Sequence, residues 1–217
     1  MRKFSLEEAR NIAINCAKHY SEHLLDQKLI VIFRDRETNS ISWIEIVFLS
    51  RNYQHLTGLE LIDDAGLIIE HQSENFFRKC KANLLSKKEI RFKEDGTTHL
   101  KLAALPSLTR LHSITKITGD YNGHKPYLYV DKVVGGVNFC MGLIKENNYF
   151  VPASALLEDI KKVVLNPSQV LAILSKPKEQ LMYDKIRYIT KGLNLLKLKI
   201  PEDLSSIIDL SSYTPKI

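Results

Sequence analysis

The chain has 217 residues, 44% hydrophobic and 26% charged, with 9 Gly and 7 Pro, proportions that exclude intrinsic disorder, a collagen-like repeat and a proline-rich linker. Lys plus Arg outnumber Asp plus Glu by 31 to 25, a net charge of +6 that leans towards a polyanionic partner. Cys16, Cys80 and Cys140 form no CxxC pair, which argues against a disulfide framework or zinc ribbon and for a reducing compartment.

The N-terminus MRKFSLEEAR turns acidic and helical where a signal peptide needs an apolar run. Every hydrophobic stretch is broken well short of the roughly 20 residues of a membrane span, so a cytoplasmic location is expected. Ser5 and Glu8 have capping-box spacing, and Ala9, Ile12, Ala13, Cys16, Ala17, Tyr20 and Leu24 recur at helical spacing behind them, predicting a helix over 5–25. Residues 29–33 and 41–48 are β-rich runs around a polar turn and read as a hairpin. Residues 51–58 have no clear period and read as a loop or short turn. Residues 74–84 read as a helix, Ser86 and Glu89 repeat the capping-box spacing, and Asp95-Gly96 marks a turn. A helix follows Thr98, bent or restarted near Pro106.

From Lys116 short strands are expected at 116–121, 127–134, 137–145 and 149–151, separated by Asn-Gly, Gly-Gly and Asn-Asn turns. Residues 155–164 read as a helix, and 169–175 and 185–190 as strands; the tail after Gly192 fits no element. Helices first and strands later predict an α+β protein, with N-terminal helices packed on one face of an antiparallel sheet. A dinucleotide-binding sheet is disfavoured, because there is no GxGxxG.

No phosphate loop, HExxH, EF-hand loop or GxSxG elbow is present. His19 and His23 stand four residues apart and could bind a metal, but the pair lacks a nearby acidic or thiol companion and reads as a solvated edge of helix 5–25. The basic run Arg78, Lys79, Lys81, Lys87, Lys88, Arg91 and Lys93 is either a phosphate-neutralising surface or a solvated face. The densest cluster of reactive types is Arg51 to Gly58. Arg51 can neutralise a phosphate, His55 can exchange a proton near neutral pH, Thr57 can hydrogen-bond a phosphate oxygen, and Gly58 permits close backbone approach.

The string RNYQHLTGLEL resembles the Asn-aromatic-x-His-Leu-Thr-Gly signature of the phage-associated barnase/EndoU/colicin/RelE-like nuclease (PBECR-type) domains, with Tyr53 where Phe is expected. The resemblance continues through FFRKC, TTHLKLAALPSLTRL, the block from GDYNGHKPYLYV to VPASALLEDI, and SQVLAILSKP, spanning roughly residues 40–192. It implies a barnase/EndoU/colicin/RelE-like α+β fold, a single domain over 1–192 with an extension over 193–217, and a ribonuclease of phages and mobile elements. A toxin held by an antitoxin or immunity protein is one form of that reading.

Metal-independent RNA cleavage needs a base for the 2′-hydroxyl proton, an acid for the departing 5′-oxygen, and cations or donors for the phosphorane. It requires RNA as the partner, because DNA lacks the 2′-hydroxyl. No cofactor or metal is called for. His55, Thr57 and Lys101 are the candidate catalytic residues, and Arg51, Ser154 and Lys176 the candidate substrate-binding residues. Ser154 also reads as a helix N-cap and Lys176 as a solvated strand end. Asp131 is the nearest carboxylate considered as a base, and His99, His112 and His124 are histidines outside the matched motif. The alternative is an RNA-binding or interaction module of the same fold without catalysis.

Overall fold

The computed structural model describes residues 2–108, 110–124 and 127–215. The last two residues of the C-terminal extension lie outside the described residues.

Helix α1 (Leu6–Tyr20) forms where the capping box predicts it. The Ser5 side chain accepts from the Glu8 N–H and the Glu8 carboxylate accepts from the Ser5 N–H. A π-turn over Ser21–Leu25 completes the expected helix. The hairpin follows as β1 (Gln27–Arg34) and β2 (Ile41–Val47), its connection closed by Asp35 Oδ1, which accepts from the Glu37 and Thr38 N–H groups. The predicted loop at 51–58 is instead helix α2 (Ser50–Thr57), ended by Gly58 at φ +70°.

Strand β3 (Leu59–Leu61), helix α3 (Ser73–Lys81) and strand β4 (Ile90–Phe92) come next, with β3 and β4 forming a two-stranded sheet of their own. Helix α4 (Thr98–Leu108) carries Pro106 in its last turn, and α5 (Leu111–Ile114) is a single turn. Strands β5 (Ile117–Tyr121), β6 (Lys132–Gly135), β7 (Cys140–Glu146), β8 (Tyr149–Leu156), β9 (Val164–Pro177) and β10 (Lys185–Ile189) complete the main sheet. The helix expected over 155–164 does not form: β8 runs through Leu156, and only the short turn Ile160–Lys162 precedes β9.

The strands do not make the open antiparallel sheet expected. Their order is β1-β2-β8-β7-β6-β5-β9, and β9 pairs back onto β1, closing a seven-stranded barrel; β10 lies beside β9. All pairings in the barrel are antiparallel except β2 with β8, which is parallel and has a single registered pair, Ile46 with Phe150. Alternation divides the side chains of β1 between two cores. Leu29, Val31 and Phe33 join the large core shared with α1 to α4, whereas Ile30 and Ile32 face Tyr183, Leu195, Leu204 and Ile208. The tail that fitted no element therefore covers the other face of β1 and β9, and its one α-helical turn, α6 (Glu202–Ser205), is tied to β2 by Trp43 Nε1 donating to Asp203.

Tyr20, Tyr53 and Phe77 form the centre of the large core, with ring centroids 5.0 to 5.7 Å apart. Burying the Phe77 side chain contributes about 1.5–3 kcal/mol. The Tyr53 hydroxyl donates to the Ala13 carbonyl at 2.6 Å and the Tyr20 hydroxyl to the Leu49 carbonyl at 3.0 Å, so each tyrosine also fixes α2 to α1. A phenylalanine at position 53 fills the same volume and loses the first of these bonds. The three cysteines are free and buried. Burial pushes the Cys16 thiol up to about 11 and those of Cys80 and Cys140 to about 12.

Candidate functional site

Helix α2 has few apolar residues, and those few decide which way it faces. Tyr53 and Leu56, three apart and both fully buried, point into the core, which turns Arg51 and His55, four apart, outwards on one side. Gly58 then ends the helix in the left-handed conformation. A β-carbon at Gly58 would lie 2.9 Å from the Thr98 Cα and 3.1 Å from the Lys101 Cδ. The missing side chain lets the first turn of α4 approach the last turn of α2, and this approach brings Lys101 to His55.

A cleft of about 630 Å³ opens at this junction. Its walls include Arg51, Asn52 and His55 from α2, Leu100 and Lys101 from α4, Asp95 and Thr97 just before α4, Ile144 and Glu146 from β7, residues 151–156 from β8, and the segment Tyr127 to Val130. His55 also borders a smaller cavity of about 360 Å³ that it shares with His71 and Lys93.

The electrostatics favour a neutral imidazole. The His55 pKa is lowered, first by partial burial of the ring and then by the ammonium groups of Lys93 and Lys101. The Lys101 pKa is lowered as well, by burial and then by Lys93, against a smaller opposing effect of Asp95. Arg51 Nη2 donates to Glu146 Oε2 at 2.6 Å across the cleft. Asn52 lines the cleft with only 9% of its surface exposed, and its buried Oδ1 has no hydrogen-bond partner among the described residues, an uncommon state for a buried polar atom.

Four of the six residues singled out from the sequence, Arg51, His55, Lys101 and Ser154, line this one cleft. Ser154 is buried within β8 opposite Gly142 rather than capping a helix. Thr57 is elsewhere: fully buried, its hydroxyl donates to the Gln54 carbonyl at 2.7 Å and accepts from the Leu59 N–H at 3.1 Å. Lys176 is also outside the cleft, donating to the Leu181 carbonyl and lying over the Tyr183 ring.

Three of the seven cations of the basic run are ion-paired where they stand. Lys79 pairs with Glu89, Lys87 with Glu7, and Arg91 with Glu60 and Glu94, and Lys93 is the member that acts on His55. Asp131 accepts from the Lys145 N–H, and His99 accepts from the Phe4 N–H. Among the described residues lining the cleft, His55 is the only histidine.

His19 and His23 do have an acidic companion: Glu22, on the same face, lies 3.9 Å from each. Among the described residues these three are the group whose geometry fits a metal ion, and all are exposed and outside the cleft. Sequence reasoning passed over Asn52, Glu146, Tyr127 and Tyr129. Asn52 stood inside the motif itself, whereas the other three reach the cleft only through the folding of the barrel. Among the described residues no helix is long and apolar enough to cross a membrane.

The family model described as phage-Barnase-EndoU-ColicinE5/D-RelE like nuclease4 matches residues 13–192, most of the chain. No curated protein and no solved structure matches it.

Proposed function

The chain belongs to this phage-Barnase-EndoU-ColicinE5/D-RelE like nuclease family, and on that premise we propose that it is an endoribonuclease that cleaves RNA through attack of the 2′-hydroxyl, without a metal. The observation that carries the reading is the convergence of His55, Lys101, Arg51 and Ser154 on one cleft.

In this reading His55 is the base. Its lowered pKa keeps the imidazole unprotonated at neutral pH, so it takes the 2′-hydroxyl proton as the oxygen attacks phosphorus. Arg51 and the Ser154 hydroxyl meet the charge that develops on the phosphoryl oxygens. Lys101, whose ammonium is made more acidic by burial and by Lys93, protonates the departing 5′-oxygen. The products are a 2′,3′-cyclic phosphate and a 5′-hydroxyl. An unrestrained activity of this kind is toxic to the cell that makes it, so the proposal includes a role as a toxin held by an inhibitor protein.

Labelled RNA incubated with the purified protein in EDTA yields 2′,3′-cyclic phosphate ends, and His55→Ala lowers the rate by about 10²–10⁴-fold. The second reading, an RNA-binding module without turnover, is favoured by the single histidine in the cleft. Salt-dependent RNA binding with no product, indifferent to His55→Ala, establishes that reading instead.

A further inference from the structure

The wall of the cleft opposite α2 is the segment Tyr127 to Val130, which lies before β6 and in no strand although a strand was expected from 127, and its side chains alternate in exposure. Leu128 and Val130 are half-buried, while Tyr127 and Tyr129 are 77% and 90% exposed. Two tyrosines this exposed on the rim of a cleft are unusual, because an aromatic ring left in water forgoes the burial that normally places it in a core. Among the described residues neither ring has an aromatic or cationic partner, and neither hydroxyl a hydrogen bond.

The segment that carries them is held in place. The Leu128 N–H donates to the Tyr121 hydroxyl at 3.0 Å, the Asp131 N–H donates to the Leu143 carbonyl at 2.8 Å, and Asp131 Oδ2 accepts from the Lys145 N–H at 2.7 Å. Val130 is seated where Gly142 makes room: a β-carbon there would lie 2.8 Å from the Val130 Cγ1. The rings are therefore presented from an anchored segment.

We propose that Tyr127 and Tyr129 are a base-stacking subsite, and that the cleft takes single-stranded RNA, with bases next to the phosphate at His55 lying against these rings. This deepens the ribonuclease reading and rests on it for the identity of the polymer. Every base has a π-face, so stacking on tyrosine supplies affinity without reading sequence. In a duplex those faces are covered by neighbouring base pairs, so the same rings have nothing to receive. The cations and the rings act together: Arg51 and Lys101 take the backbone while the tyrosines hold the bases on the other wall.

The probe is a short 2′-O-methyl RNA strand, which lacks the attacking hydroxyl, used single-stranded and as a duplex of the same sequence. Fluorescence anisotropy with the full chain gives tighter binding of the single strand. Tyr127→Ala/Tyr129→Ala weakens that binding by about tenfold or more, Tyr127→Phe/Tyr129→Phe retains it, and the duplex affinity does not change between variants. Circular dichroism checks that the exposed substitutions leave the fold intact. Equal affinity for duplex and single strand, or full single-strand affinity in the double alanine variant, overturns the proposal. Because this probe is not cut, failure of the catalytic reading shows separately, as absence of cleavage of ordinary RNA with tyrosine-dependent binding retained.

Discussion

The Thr98 hydroxyl donates a 2.6 Å hydrogen bond to the carbonyl of Gly58, joining the first turn of α4 to the end of α2. The same Gly58 holds φ at +70° and has no room for a β-carbon. The neighbourhood of His55 and Lys101 is thus set by backbone geometry. Gly58→Ala is expected to destabilise the fold by more than the roughly 1–2 kcal/mol of a left-handed alanine, because the contact with Thr98 must also be relieved. Urea unfolding measures this as a lower midpoint, and an unchanged midpoint removes Gly58 from the argument.

Thr57 is expected to support the fold and take no part in chemistry. Thr57→Val keeps the volume and loses the bonds to the Gln54 carbonyl and the Leu59 N–H, a cost of about 1–3 kcal/mol for buried groups left unpaired. Cleavage per folded molecule stays at the parent rate. A large loss of rate with an unaltered unfolding midpoint shows instead that the hydroxyl acts on substrate.

Glu146 restrains Arg51. The pair is partly exposed, so Glu146→Gln changes stability by about 1 kcal/mol or less. It also removes a negative charge from the cleft and frees the guanidinium, so binding of single-stranded 2′-O-methyl RNA is expected to tighten several-fold at low salt. Weakened binding contradicts this. A collapse of cleavage with binding unchanged identifies Glu146 as the base in place of His55.

Acidification tests the histidines. Both His55 and His112 have lowered pKa values: His55 by burial, Lys93 and Lys101, and His112 by burial, Arg187 and His23. As pH falls below the ordinary histidine value of 6.5, the unfolded chain takes up protons that the folded chain resists, so stability declines through that window and is unaffected above it. His55→Asn combined with His112→Asn flattens the decline. Glu89 acts at lower pH: its bonds to Lys79 and Ser86 hold its carboxyl down, and their benefit is lost only as pH falls below its ordinary 4.5. Unfolding midpoints measured from pH 7.5 to about pH 5 decide this, and an identical slope in the double variant removes the histidines as its cause.

The sequence disclosed what local rules control. Helix α1 announced itself through the Ser5 and Glu8 box and a stripe running over several turns. Helix α2 did not, because eight residues with only two apolar ones, Tyr53 and Leu56, give too little period to recognise, although Gly58 was a correct stop signal. The stretch 155–164 misled because Ala155, Leu156 and Ile160 mimic a helical face, while pairing of Cys140 with Leu156 and of Met141 with Ala155 draws the first two into a strand. Barrel closure depends on pairs such as Ile30 with Leu174, which no window of sequence contains. The same distinction governs the cleft: Arg51 and His55 were legible as neighbours on one motif, whereas Glu146 and the two tyrosines arrive through the barrel.

The pairing of β1 with β9 also sets an order of events during synthesis. β1 is among the first strands to leave the ribosome and its partner among the last. At about 5–20 residues per second the early edge waits on the order of ten seconds for its mate. Throughout most of that interval β8, which supplies one wall of the cleft, has not emerged either. For most of that interval the nascent chain, tethered to a machine built largely of RNA, therefore carries no finished cleft.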